Sequence, residues 1–525
     1  MAGSGALLLS LTAGFTFVTD EWDLVLLRPG WDPEAFLEPF HEHIVIAPAL
    51  VYKLLQAVFG MDSPRPMQVV AIGTFLATGL LFFVWLRVRV GPWAALVGAA
   101  IVLFLGAAFE DLLWAFQLGY FGSLACGLGA LIALDRDDER GDLIASLLLT
   151  LSLTFSSLGI PFVAGAVVEW LTNPRGRNRR WFVPAVPFLF YALWWVGWGR
   201  DAESDVSLSN LPDVPGYVWD AASAGMTSML GLATGDGSEP DQPHLIWGRL
   251  ALLVLVALAA WRLVRLGRVP RGVLIAGAIP LSFLCLAALG QNDLRPPTSS
   301  RYQLPTVIFI LMVAAEFIRG VRIPRPALVA AAIVVVVTSL AGVDLMREQA
   351  DSRWKPASVS TRVSLGAIAM AKEAARPDYV LDLGSVKVPV HRYLDEVEAS
   401  GSPGFPAGEI AGMDAAYRGL ADQTLVDVEG IGLAGENPGR AAGQCSTVRA
   451  RAATPVPVNP GTVTEVLNRE PRVLSVSVAR FGDPPGVPVG SSLARSSAWL
   501  TLPLDGSTRP WQVTLDGRGT LRVCG

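Results

Sequence analysis

Charge is scarce in this chain. Only 17% of its 525 residues are Asp, Glu, Lys or Arg, against about 25% in an ordinary soluble domain. Meanwhile 52% are hydrophobic, and the mean hydropathy is +0.45. So little charge over this length excludes a disordered chain, a coiled coil and a simple soluble enzyme. Cysteine is scarce too: four residues without metal-ligand spacing exclude a disulfide-rich scaffold and a zinc module. A net charge of −5 offers no basic surplus for nucleic acid. What remains is a polytopic membrane protein with a soluble appendage.

Apolar stretches of near-spanning length fill the first two thirds. They lie near residues 2–19, 67–86, 92–109, 118–134, 143–157, 159–172, 182–198, 246–264, 272–289, 304–318 and 327–343. Arginines cluster at Arg87 and Arg89, Arg136 and Arg140, Arg175, Arg177, Arg179 and Arg180, Arg262, Arg265, Arg268 and Arg271, and Arg319, Arg322 and Arg325. The connections between these clusters hold Asp, Glu, Gly and Pro instead. Cytoplasmic loops carry the excess of Lys and Arg, so the pattern predicts a cytoplasmic N-terminus, about eleven spans and an extracytoplasmic C-terminus. Keeping Arg136 and Arg175 on one side requires two crossings in 143–172, joined at Ser156, Ser157, Gly159 and Pro161, or a re-entrant hairpin there. The first stretch lacks a basic leader and a small-residue cleavage site, and reads as a signal-anchor span. No internal repeat supports an inverted-repeat transporter.

Beyond residue 343 the composition changes. A helix is expected from Asp344 to about Arg376, then a mixed region to 440 with Gly- and Pro-containing loops. From 441 alternation takes over: Leu474, Val476 and Val478 alternate with Ser475, Ser477 and Ala479. Short strands between Gly, Pro and Asp turns predict a small β-sandwich. Cys445 and Cys524 bracket it, and outside the membrane a disulfide between them is expected. The expected organisation is therefore an all-α membrane domain at 1–343, an extracytoplasmic helical and mixed region at 344–440, and a β-rich domain at 441–525. Trp499 and Trp511 are the candidate glycan platforms of that last domain, or simply its core.

The outer loops hold the chemistry. The loop from Thr19 to Met67 opens with Asp20-Glu21-Trp22-Asp23 and reaches His41-Glu42-His43. An amphipathic stretch follows at 49–59, suited to the membrane surface. Glu110-Asp111, then Trp114 and Gln117, sit between two apolar spans. Acids at a membrane edge are costly unless they face a polar cavity. The last outer connection ends in Ser300-Arg301-Tyr302, and a guanidinium there suits a headgroup-level phosphate. A carboxylate to deprotonate a hydroxyl and cationic groups to hold an anionic leaving group are what sugar transfer from a lipid phosphate needs. His41 and His43 also allow a metal pair if they lie on a strand.

At these residues the sequence resembles the type C (GT-C) glycosyltransferases, integral membrane enzymes that use polyprenyl-phosphate sugars. Asp20-Glu21-Trp22-Asp23, His41-Glu42-His43-Ile44, the run Phe109 to Gln117 and Ser300-Arg301-Tyr302 are similar to a bacterial, actinobacterial-like subgroup, over residues 1–343. The resemblance implies Asp20 or Glu21 as catalytic base. It implies Glu110 or Asp111 as the positioning group for the acceptor or for a divalent metal (Mg or Mn), and His43 and Arg301 as contacts of the lipid phosphate; Asp23 and Gln117 are further candidates for the first role, and His41 and Tyr302 for the second. No sequence signature decides the metal. The expected partners are a polyprenyl-phosphate-linked sugar, a cell-envelope glycan or lipid acceptor, and membrane lipids. The rival readings are a flippase for lipid-linked glycans, which would place ionisable residues mid-span, and a non-catalytic envelope assembly protein.

Overall fold

The computed structural model describes residues 1–173, 180–233, 245–436 and 445–524; Arg175, Arg177, Arg179 and the 440/441 boundary lie outside them. The residues fall into two units. One holds Met1–Ala13, Arg28–Leu54 and Arg65–Trp354, and the other Gly14–Leu27, Leu55–Pro64 and Lys355–Gly525.

The first unit is helical. Among the described residues, four helices are long and apolar enough to cross a membrane: Arg65–Val90, Ala115–Leu134, Arg271–Leu289 and Arg325–Met370, the last with its apolar stretch before Gln349. Pro92–Leu103 and Gly106–Leu113, bent by 42°, make a fifth if they form one span. Ala2–Leu11, Ile46–Phe59, Gly159–Thr172 and Phe182–Gly197 are apolar but shorter than the roughly 17–25 residues of a bilayer crossing. The stretch expected as a first span is helical only to Leu11. Gly14 then adopts φ +83°, and the β-branched, aromatic run Phe15–Thr19 continues without helix. The 143–172 stretch is two helices, Glu139–Phe155 and Gly159–Thr172. Asp138 caps the first by accepting the Gly141 N–H at 2.6 Å. Gly122 lets Phe155 press onto the Leu118–Leu134 helix, since a Cβ there would lie 2.2 Å from the Phe155 ring. The Ile46–Phe59 helix presents Leu50, Leu54, Val58 and Phe59 outward and buries Ala49 and Tyr52.

Several arginines expected as loop charges are instead buried at helix ends. Arg180, 1% exposed, meets Asp137 at 2.5 Å, Asp142 at 3.0 Å and Glu169 at 2.5 Å. Arg271 shares Glu169. Arg89 meets Glu316 at 2.5 Å and Asp135 at 3.0 Å. Together they line a cavity of about 290 Å³.

In the second unit, the Lys355–Met370 helix packs on Ala415–Glu429. A hairpin of β1 (Val380–Asp382) and β2 (Lys387–Pro389) precedes the Val390–Ser400 helix. The remaining strands are β3 (Leu433–Ala434), β4 (Cys445–Ala450), β5 (Val456–Val458), β6 (Thr462–Leu467), β7 (Leu474–Ala479), β8 (Val487–Ser492), β9 (Ser497–Leu502), β10 (Trp511–Leu515) and β11 (Gly519–Cys524). They form two antiparallel sheets, ordered β5-β10-β7-β8 and β3-β9-β6-β11-β4. Leu474, Val476 and Val478 are buried while Ser475 is exposed, as the alternation requires. Cys445 faces Cys524 across β4 and β11 and is disulfide-bonded to it. Trp511 is fully buried under Arg480, whose guanidinium lies 4.2 Å from the ring. It is a core residue, not a glycan platform. Trp499 is half-exposed. Two early segments complete this unit. Residues 55–64 dock through Met61 N–H to Ser400 O (2.6 Å) and through Asp62, which accepts the Ser402 N–H at 2.9 Å. Residues 14–27 bury Phe17, Trp22 and Leu24.

Candidate functional site

A cavity of about 450 Å³ opens within the first unit. Its polar lining includes Glu42, His43, Arg200, Arg295, Arg301, Tyr120, Tyr191 and Tyr302. Its apolar wall includes Leu158, Ile160, Pro161, Trp195, Phe283 and Leu286. Several distant segments build it, each held by local structure.

Glu42 and His43 are placed by a tight turn. Phe40 and His43 exchange both backbone hydrogen bonds, at 3.0 and 2.9 Å. His41 sits at φ +48° inside the turn, exposed, with its ring edge-on to Phe40 at 4.7 Å. The two histidines therefore part: His43 lines the cavity and His41 does not. The Nδ1 of His43 is shielded and has no hydrogen-bond partner among the described residues. Burial pushes its pKa below the usual 6.5, opposed by Glu42 and reinforced by Arg295, His41 and Arg301. Burial pushes Glu42 up, but His43 and Arg295 outweigh it and hold the carboxyl below its usual 4.5.

Arg301 and Tyr302 lie in a short 3₁₀ turn, Ser300–Tyr302, that starts the Gln303–Phe317 helix. Ser300 fixes the turn: its Oγ donates to Ala107 O at 2.7 Å and accepts the Glu110 N–H at 3.1 Å. That brings Arg301 to 3.6 Å from Glu110, whose other oxygen faces Arg353 at 3.7 Å. Asp111 is fully buried. Its carboxyl faces the Leu304 N–H in the first turn of that helix without reaching hydrogen-bond geometry. Gln117 and Trp114 are buried and lie outside the cavity lining. Trp114 stacks on Phe116 at 5.2 Å and packs against Trp354 at 6.0 Å.

Glu110 is thus already flanked by two guanidinium groups, a poor donor for a cation. Among the described residues no three His, Cys, Asp or Glu side chains gather as a metal site would need.

The acidic cluster after the first helix belongs to the second unit. Asp20, half-buried, accepts a hydrogen bond from Ser385 Oγ in the β1–β2 turn. Glu21 is 2% exposed, and its Oε2 accepts the Val18 N–H at 3.0 Å. Asp23 opens a π-helical turn, Asp23–Leu27.

Three cavity residues escaped the sequence reading. Arg295 donates to Glu42 Oε1 at 2.7 Å and lies 3.4 Å from Asp205. Arg200 and Glu42 complete the charged lining. The scarcity of basic residues in the outer connections, which singled out Arg301, applies equally to Arg295 and Arg200. Glu42 lay in plain view between two histidines.

No known family model matches the chain, and no curated protein matches it. A solved structure similar to this chain is that of ArnT from Cupriavidus metallidurans bound to undecaprenyl phosphate. It is 12% identical, with a TM-score of 0.45, over 77% of this chain and 88% of that one.

Proposed function

We propose that this protein is a type C membrane glycosyltransferase that moves one sugar from a polyprenyl-phosphate carrier to a cell-envelope acceptor on the outer face of the membrane. The observation that carries the reading is the cavity of the first unit. Arg200, Arg295, Arg301, His43 and Tyr302 share it with an apolar wall. That pairing suits an anionic head on a hydrocarbon chain.

The chemistry is a single displacement with inversion. The acceptor hydroxyl gives its proton to a carboxylate as its oxygen bonds to the anomeric carbon, and the bond from that carbon to the phosphate oxygen breaks. Charge developing on the departing phosphate falls to Arg301, Arg295 and neutral His43, which donates through a ring N–H. Asp20 is assigned the base. Its carboxylate is the more open of the pair, whereas Glu21 is buried against the Val18 amide.

Transfer of labelled sugar from polyprenyl-phosphate donors in membranes tests this. Asp20→Asn is expected to cut the rate by about 10²–10⁴. Folded Asp20→Asn and Glu21→Gln proteins with unaltered transfer would remove the assigned base. Arg301→Ala is expected to weaken donor use in the same assay.

A further inference from the structure

One arginine of the 450 Å³ cavity already has a carboxylate partner within the lining. Arg295, only 16% exposed at its side chain, already holds Glu42 Oε1 at 2.7 Å and has Asp205 at 3.4 Å. Glu42 uses one oxygen for this. Its other oxygen, Oε2, is shielded and has no hydrogen-bond partner among the described residues. The same is true of His43 Nδ1 on the adjacent residue. A shielded carboxylate oxygen without a donor is a cost the folded chain carries, and it sits where an anion would be held.

We propose that Glu42 is a built-in competitor for the anion site: a phosphate-bearing ligand displaces it from Arg295, and the two guanidinium-facing groups exchange places. Three features support the exchange. The Arg295–Glu42 contact is a single hydrogen bond rather than the two-point grip a guanidinium gives a well-seated carboxylate. Arg295 lines the same cavity as Arg301, so a phosphate can engage both. Glu42 sits on a two-residue turn closed by the Phe40–His43 pair and held at its carbonyl by Ser157 Oγ at 3.4 Å, contacts that leave its side chain able to swing without moving a helix. The ligand class is a phosphate monoester or diester. Whether it arrives as a lipid headgroup or as free phosphate is separated by the probes below.

This rests on the cavity being the donor-phosphate site, but not on the identity of the base. The test is equilibrium binding of farnesyl phosphate and of inorganic phosphate to the full-length protein in detergent. Glu42→Gln, nearly isosteric, is expected to bind farnesyl phosphate about fivefold more tightly than wild type, the worth of a half-buried ion pair. Arg295→Gln is expected to bind it about tenfold more weakly. Adding Glu42→Gln to Arg295→Gln is expected to gain nothing, because the competitor acts only through Arg295. Asp205→Asn, on the exposed side of Arg295, supplies a second variant and should tighten binding less. A lipid headgroup source predicts the Glu42→Gln gain for farnesyl phosphate with little binding of inorganic phosphate; a free-phosphate source predicts the gain for both. Farnesyl phosphate bound by wild type with equal or lower affinity in Glu42→Gln overturns this inference and spares the donor-site reading. Binding of neither probe to either protein overturns both.

Discussion

Glu42 and His43 respond to acid in the same direction. His43 is held below its ordinary 6.5 in the folded protein, so the unfolded chain takes up its proton first as pH falls. Its contribution is complete above about pH 6.5 and is lost below it. Glu42, held below 4.5, adds a loss that begins at lower pH. Hydrogen exchange around residues 42–54, corrected for intrinsic rate, should therefore show protection falling from pH 7 to pH 5, and His43→Asn should flatten the upper part of that fall. Ser385 makes a residue-scale claim of its own. Its hydroxyl donates to Asp20 and so orients the assigned base. Ser385→Ala should lower the transfer rate with little change in melting temperature; an unaltered rate would detach Ser385 from the chemistry. Little of this was legible beforehand. Spacing at i and i+2 leaves two histidines free to converge or diverge, and only the positive φ of His41 decides that they part. Glu42 is not singled out by its place between two histidines, because adjacency in sequence says nothing about which side chain turns inward.

The helix ends show a different limit of sequence reading. Arginine clustering leads to an expected break within 143–172, and two helices, Glu139–Phe155 and Gly159–Thr172, stand there. It does not reveal that Arg180 and Arg89 are buried in multiple ion pairs. Burial depends on which helix ends meet, and residues 89, 135 and 316 have no proximity in the chain. Arg180→Ala would remove the guanidinium shared by Asp142 and Glu169, both nearly inaccessible, leaving Arg271 on Glu169, and breaking such a pair costs about 3–5 kcal/mol. Thermal unfolding of the solubilised variant should show that loss, partly recovered by Glu169→Gln. The β-rich end was the most legible element. Alternation has a period of two regardless of what packs against it, and two cysteines at either end of the alternating region have few other partners to find.

At the scale of the whole molecule, the two units carry opposite pH signatures. Burial, then the neighbouring Asp505, raise Glu429 to about 9, with Arg480 opposing. A raised folded value means stability is complete below the unfolded 4.5 and is lost as pH rises toward 9. Hydrogen exchange, corrected for intrinsic rate, should show protection of β7 and β10 falling between pH 5 and pH 8 while protection around 42–54 rises. Glu429→Gln should abolish the first trend alone. The composition of the chain did announce a change to a β-rich C-terminal region, yet no local pattern assigns residues 14–27 and 55–64 to the same unit, since their partners lie more than three hundred positions away. That placement has a consequence for biogenesis. Asp20 leaves the ribosome among the first residues, but Ser385 follows 365 positions later, a delay of roughly 20–70 s at ordinary translation rates. Throughout that interval the 14–27 segment lacks the β1–β2 turn whose Ser385 holds Asp20. Nonsense truncations upstream of residue 355 should therefore leave that segment more open to proteolysis than it is in the full chain.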